Sequence, residues 1–228
     1  MSAPPILAPL EAYRLWAATW ESDPSAIVAL ESRYLTPWLI DLRGRRVLDV
    51  SCGTGRYLEH SVHQGADVVG FDFCAEMLAH AASKEGLASR LAVADAARLP
   101  VSDTSSDVVL CTLSLGHVHD AAAVIAEMAR AARMGGNVIV TDFHPEAFRR
   151  GWKRTFRSGG RTFEVENHYH SLESLLEAAR ACGLVLEETV EPCFGEPERP
   201  IFVNAGKPAL FDEVHGIPAV LLVRWRKQ

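Results

Sequence analysis

The sequence predicts an α/β fold, a doubly wound sheet with helices on both faces. Three observations predict it. Short apolar runs alternate with helix-forming segments between residues 45 and 143. The first run enters a glycine-bearing loop, Ser51-Cys52-Gly53-Thr54-Gly55, that opens a helix. Asp49, Asp72 and Asp95 end three successive runs at a spacing of 23 residues. Strands that alternate with helices build βαβ units and a parallel sheet, and right-handed crossovers place helices on both faces.

Residues 10–20 and 24–40 predict two helices, the second opened by Asp23 as N-cap and Pro24 at the first helical position. RRVLDV (45–50) reads as a buried strand, and a helix over 56–64 follows its glycine loop. ADVVGFD (66–72) is a strand, AEMLAHAAS (75–83) a helix, and RLAVAD (90–95) and DVVLCTLSL (107–115) two further strands. A helix over 120–133 ends at Gly135-Gly136, and NVIVTDF (137–143) is the fifth strand. Beyond it, Ser158-Gly159-Gly160 predicts a hairpin turn. Ser171 caps a helix over 172–182 that stops at Gly183. LVLEETVE (184–191) and PAVLLVRWRK (218–227) complete seven strands, and the Pro- and Gly-rich stretch 192–217 reads as a long loop that walls a site.

The 228 residues fit one domain, and 48% apolar with 23% charged residues is an ordinary globular composition. Lys and Arg total 23 against 29 Asp and Glu, a net charge of −6. That balance argues against a nucleic-acid partner, whose affinity rests on phosphate contacts. The densest basic stretch, Arg149, Arg150, Lys153, Arg154 and Arg157, reads as a solvated face. The five cysteines form no CxxC pair, which points to reduced thiols in a cytoplasmic protein. No secretory leader is expected at the N-terminus, and no membrane span.

Gly53 and Gly55 let the backbone turn sharply against a ligand, and the helix behind them offers free N–H groups that suit a carboxylate or phosphate. Leu58 stands where a dinucleotide loop carries its third glycine, so pyrophosphate is not the expected ligand. A purely structural turn is the alternative. Asp72 is placed to accept from ribose hydroxyls. Asp95 is placed at the same sheet edge, with a turn-forming role as its alternative.

The order VLDVSCGTGRY, GFDFCAEMLAHA, VADAARLPVSDTSSDVVLC, ARMGGNVIVTD resembles the class I S-adenosylmethionine-dependent methyltransferases. It is most similar to the branch of ubiquinone-, biotin- and sterol-pathway small-molecule enzymes. The resemblance covers roughly residues 10–145, with recognisable terminal strands later. It implies a Rossmann-like, mainly parallel seven-stranded sheet with an antiparallel last strand and a small cap after the fifth strand. It divides a single domain (1–228) into an N-terminal helical lid (1–40), a cofactor-binding core (41–145), a cap hairpin (146–170) and a C-terminal helix and strands (171–228). S-adenosyl-L-methionine is the implied cofactor. Ser51, Gly53 and Gly55 would line its methionine part and Asp49 would face its amino group. Asp72 would hold the ribose, Phe73 and Met77 would flank the adenine, and Asp95 with the Ala96 N–H would bond it. Leu113 would floor the sulfonium, with Tyr13 and Trp16 closing above. Ser51, Cys74 and Met134 depart from the usual glycine, small residue and proline of this family.

The implied activity is methyl transfer to an O, N or C atom of a small-molecule acceptor. The alternatives are an RNA or protein methyltransferase, or a non-methylating binder of the same cofactor. His117 and His144 are the candidate bases, since histidine titrates near neutrality. His119, His168, His170, Trp20, Trp152 and Tyr169 are candidate acceptor contacts. The His-x-His pairs 117/119 and 168/170 invite a metal, but no cysteine or carboxylate joins them at ligand spacing, so catalysis is expected to be metal-free.

Overall fold

The computed structural model describes residues 3–22 and 24–228. The chain opens with β1 (Ile6–Leu7), α1 (Pro9–Trp16) and α2 (Ala26–Leu35). The alternating core follows as β2 (Arg46–Val50), α3 (Arg56–His63), β3 (Asp67–Asp72), α4 (Ala75–Ala82), β4 (Leu91–Val93), β5 (Ser106–Thr112), α5 (Ala121–Ala131) and β6 (Ala132–Phe143). Next come α6 (Pro145–Arg149), β7 (Thr155–Ser158) and β8 (Arg161–Val165). The chain ends with α7 (Leu172–Ala181), β9 (Leu184–Val190), α8 (Arg199–Asn204), α9 (Pro208–Val214) and β10 (Val220–Lys227).

Seven strands form one sheet in the order β4-β3-β2-β5-β6-β10-β9. The pairings from β4 to β6 are parallel, and β10 runs antiparallel to both β6 and β9. The sequence therefore has the expected sheet, antiparallel last strand included. Side chains alternate between two cores, one on each face. Val47, Leu110, Ile139 and Leu222 face α2 and α3, whereas Leu48, Val109, Val140 and Val223 face α5 and α7. Strand order reverses between β2 and β5, and the crevice beyond the carboxyl ends of those strands is where open α/β sheets bind ligands.

Several elements differ from the sequence reading. The N-cap of α2 is Ser25, whose hydroxyl accepts from the Val28 N–H, while Asp23 lies outside the described residues. Pro37 ends the α-helical ladder, so 36–38 turn as a 3-10 segment. α5 stops at Ala131, and Gly135-Gly136 sits inside β6. A side chain at Gly136 would meet the Arg133 and Asp107 carbonyls at 2.9 and 3.0 Å, so this glycine is required for close strand approach. The 192–217 stretch is not one loop. Pro200 and Pro208 open α8 and α9, whose Phe202, Phe211 and Val214 enter the core.

β7 and β8 form the expected hairpin over Gly159-Gly160, both at positive φ as a two-residue hairpin turn requires. β1 pairs in parallel with β8, through Ile6 with Glu164 and Leu7 with Val165. Trp16 stacks on Phe156 at 4.8 Å, and Tyr13 and Ala17 share a small core with Met77, Phe156 and Val165. The N-terminal helix and the hairpin are thus one packed unit over the sheet edge. No helix among the described residues is long and apolar enough to cross a membrane.

Candidate functional site

The loop after β2 is held in conformations that favour glycine. Gly53 and Gly55 have φ of 54° and 76°, and Ser51, which is not glycine, has φ of 59°. Leu113, just past β5, has φ of 50°. Two non-glycine residues in the left-handed region on facing loops of one crevice mark strain stored at a site. Together the loops enclose a cavity of about 460 Å³, inside the range of small-molecule sites.

Asp49, at the end of β2, is fully buried, and its Oδ1 has no hydrogen-bond partner among the described residues. Burial pushes its carboxyl up to about 8; Arg56 pulls the other way, and Asp72 and Glu31 add to the rise. Asp72 ends β3 and ties two loops together. Its Oδ2 accepts from the Gly53 N–H and its Oδ1 from the Cys74 N–H, each at 2.8 Å. Burial raises its pKa, and these backbone donors oppose the rise. Asp95 is exposed, with Oδ1 accepting from the Ala97 N–H at 2.9 Å.

Ser51, Gly53, Phe73, Met77, Ala96 and Leu113 line the same cavity as the three aspartates. Tyr13 and Trp20 close it from the N-terminal segment, and His117 and Val118 from the loop after β5. Two expected residues stand behind the wall. Gly55 faces α4, where a side chain would meet Leu87 and Ala81 at 3.0 and 3.1 Å. Trp16 packs between Tyr13 and Phe156.

Two buried networks at this site escape sequence reasoning. Glu31, fully buried on α2, accepts from Arg56 Nη2 at 2.6 Å, from Tyr57 Oη at 3.0 Å and from the Thr141 hydroxyl. This holds Arg56 and Tyr57 at the cavity wall beside Asp49. A glutamate on the apolar face of AIVALESRYL was the available signal.

The second network centres on Arg154, assigned by sequence to a solvated face but 8% exposed here. Its Nη1 donates to the Leu113 carbonyl at 2.6 Å and to Tyr13 Oη at 3.2 Å, and its Nη2 to Asp142 at 3.2 Å. His117 Nδ1 lies 3.2 Å from the Glu166 carbonyl, which can only accept, so the proton sits on Nδ1. Nε2 then accepts from the Tyr13 hydroxyl at 2.8 Å. Burial and the Arg154 charge hold His117 well below the ordinary histidine range, so its imidazole is neutral. Burial raises the Tyr13 hydroxyl and Arg154 opposes that rise.

The remaining candidates do not converge on the cavity. His144 caps α6, its Nδ1 accepting from the Glu146 N–H at 2.9 Å and its Nε2 lying 3.3 Å from Glu191. His119 and His168 meet edge to face at 5.4 Å outside the cavity. His170 donates to the Val118 carbonyl at 3.0 Å, and Tyr169 is exposed against Phe148. Trp152 stacks on Phe194 and lines a separate, smaller cavity. Of the proposed bases only His117 reaches the main cavity, and of the acceptor contacts only Trp20. Among the described residues, no three of His, Cys, Asp and Glu gather as a metal ligand set.

Residues 48–140 match the methyltransferase domain family. The chain is 36% identical over 104 residues to the demethylmenaquinone methyltransferase of Thermobifida fusca, covering 44% of each. It is 32% identical over 145 residues to the malonyl-[acyl-carrier protein] O-methyltransferase of Hahella chejuensis, 60% of this chain and 50% of that protein. The chain spans about half the length of the curated relatives it matches. The crystal structure of an S-adenosylmethionine-dependent methyltransferase from Mesorhizobium loti superposes with a TM-score of 0.70 at 24% identity, covering 89% of this chain and 100% of that one. That likeness is one of fold.

Proposed function

The chain carries a methyltransferase domain of the class I, S-adenosylmethionine-dependent, small-molecule branch, and from that premise we propose that it moves a methyl group from S-adenosyl-L-methionine to an O, N or C atom of a small acceptor. The observation that carries this reading is the buried carboxyl of Asp49, whose Oδ1 lacks a partner among the described residues, beside a strained glycine loop in one cavity with Asp72 and Asp95. A buried carboxyl oxygen without a donor is costly, and an ammonium group supplies both the donor and the charge. Asp72 keeps lone pairs beyond its two backbone bonds for ribose hydroxyls. Asp95 and the Ala96 N–H offer the acceptor and donor that an aminopurine edge needs, between Phe73 and Met77.

When bound, the cofactor supplies an already activated methyl on a positive sulfur. The protein is left to align the acceptor, exclude water and handle a proton. Tyr13 and Trp20 cover the crevice and exclude solvent. The Tyr13 hydroxyl donates to His117 Nε2 and accepts from Arg154, which leaves one lone pair to accept a proton from a bound acceptor. As that proton arrives, the tyrosine proton passes to Nε2, and Arg154 stabilises any negative charge on the oxygen. His117 is a weak base, so the relay suits a proton that is acidic already or that methylation makes acidic.

The net charge of −6 supports an acceptor other than nucleic acid, and five free thiols support a reducing, cytoplasmic setting. The test is incubation with methyl-labelled cofactor and a cell extract. Label is expected in a fraction that resists nuclease and protease. Label in RNA or protein would overturn the small-molecule reading, and cofactor binding with no label anywhere would overturn methyl transfer itself.

A further inference from the structure

The main cavity carries its charges unevenly. Asp49, Asp72 and Asp95 line it, and among the described residues Arg56 is the one Lys or Arg that does so. His117, also in the wall, is neutral. Two loop N–H groups that could serve an anion are already spent, Gly53 on Asp72 at 2.8 Å and Gly55 on the Cys52 carbonyl at 2.9 Å. A carboxylate entering the cavity therefore has one fixed cation to meet.

Arg56 opens α3 with its side chain 34% exposed, whereas its partner Glu31 on α2 is fully buried. Glu31 Oε2 accepts from Arg56 Nη2 at 2.6 Å and from Tyr57 Oη at 3.0 Å. Arg56 Nη1 donates to Tyr57 Oη at 3.0 Å and to Ser32 Oγ at 2.5 Å. A guanidinium has five N–H hydrogens, and these contacts use three. Glu31 Oε2 and the Tyr57 hydroxyl are bonded to each other, so they sit together on the Nη1–Nη2 edge. The Nε–Nη2 edge is left, and that edge also matches the two oxygens of a carboxylate. Apolar residues of similar volume would often serve a fold as well as a buried ion pair, so stability alone is a weak reason for Glu31. A long arginine loses rotamer freedom when a ligand fixes it, and a partner that fixes it beforehand removes that cost from binding. Asp49 and Arg56 lie close enough for each to act on the other's charge, as the ammonium and carboxylate on one carbon require.

We propose that Glu31 is a positioning residue, which presets Arg56 so that its free edge donates to the α-carboxylate of the ligand whose ammonium lies at Asp49. Arg56 touches the ligand, and Glu31 acts through it. The cavity then selects a zwitterionic α-amino acid end and rejects ligands that keep the amine but lack the carboxylate. This role deepens the methyltransferase reading and rests on it.

The test measures, by calorimetry on the whole chain, the affinities for S-adenosylhomocysteine and for its decarboxylated form, which keeps the amine. Wild type is expected to prefer the carboxylate form about 10- to 150-fold, the worth of a hydrogen bond to a charged group. Arg56→Gln is expected to bring that preference within about threefold, with affinity for the decarboxylated form within about threefold of wild type. Glu31→Gln is expected to cut the preference about fivefold, again with the decarboxylated form little changed. Glu31→Asp keeps the buried charge on a shorter arm and serves if Glu31→Gln does not fold; its preference should fall in the same direction. Glu31 variants that weaken both ligands alike, or leave the preference unchanged, would reduce Glu31 to a structural role and overturn the proposal. So would an unchanged preference in Arg56→Gln, or a wild type that binds the two ligands equally. A wild type that binds neither would overturn the cofactor reading along with it, which separates the two failures.

Discussion

Replacing Asp49 with Asn keeps the shape of the side chain and removes its charge, so it isolates what that charge does. With its pKa pushed up to about 8, the carboxyl is protonated at neutral pH before any ligand arrives. An ammonium group beside it favours the ionised form, so binding must release a proton. With a pKa of about 8, about 0.9 proton leaves per site at pH 7 and about half a proton at pH 8. The same linkage raises affinity for S-adenosylhomocysteine about 50-fold between pH 6 and pH 8. In Asp49→Asn that slope vanishes, and affinity at pH 8 drops about 10- to 150-fold, the worth of about 1.5–3 kcal/mol for a hydrogen bond to a charged group. Stability of the unliganded chain moves the other way. A carboxyl whose folded pKa is raised contributes most below its unfolded value, and that contribution is lost as pH climbs to the folded value. Wild type should therefore lose stability relative to Asp49→Asn by about 1.4 kcal/mol per pH unit between pH 4 and pH 8, and no further above it. Calorimetry in two buffers of different ionisation enthalpy counts the protons, and thermal melts across that range follow the stability. A wild-type affinity that is flat from pH 6 to pH 8, with no proton released, would refute the placement of the ammonium at Asp49.

The remaining expectations concern the loops and the lid. Asp72→Ala should weaken S-adenosylhomocysteine binding by about 1.5–3 kcal/mol in calorimetry without unfolding the chain, and unchanged affinity would remove Asp72 from the site. Ser51→Gly relieves a serine held at a φ of 59°, so chemical denaturation should show stability within about 0.5 kcal/mol of wild type or above it. Ser51→Val at the same position should lose about 1–2 kcal/mol. Tyr13→Phe keeps the aromatic lid but breaks the link between His117 and Arg154. Turnover should fall about 100-fold with cofactor affinity nearly kept, and equal turnover would take the hydroxyl out of the chemistry. Activity should also persist after exhaustive chelation; loss that one specific metal restores would replace the metal-free reading.

What the sequence made legible and what it hid divide along contact range. The alternation of strands with helices and the strand-end aspartates follow from local signals: short apolar runs, a glycine loop, and acids at run ends. Arg154 follows from none of these. Within five basic residues of a polar segment it looks like its neighbours, and Arg149, Arg150 and Lys153 do form surface ion pairs with Glu146 and Glu164. Only the pairing of β1 with β8, with strands more than 150 residues apart, folds the hairpin so that this one side chain turns inward. It then meets Tyr13 and Asp142, 141 and 12 residues away in sequence. His144 lies away from the main cavity for the converse reason. Its position at the end of β6 suited a base, but the Pro145 that follows starts a helix there, and the imidazole is spent capping the Glu146 N–H. Glu31 lies between these cases, since a glutamate on an apolar helix face is visible in the sequence while its partners Arg56 and Thr141 are not. In the proposed function, side chains whose role depends on a partner across the fold would therefore define the acceptor side, and backbone geometry that short motifs specify would define the cofactor side. On that division, substitutions between residues 46 and 96 should act mainly on cofactor affinity. Those at Tyr13, His117 and Arg154 should act mainly on turnover, and a variant of Arg154 that lowered cofactor affinity alone would contradict it.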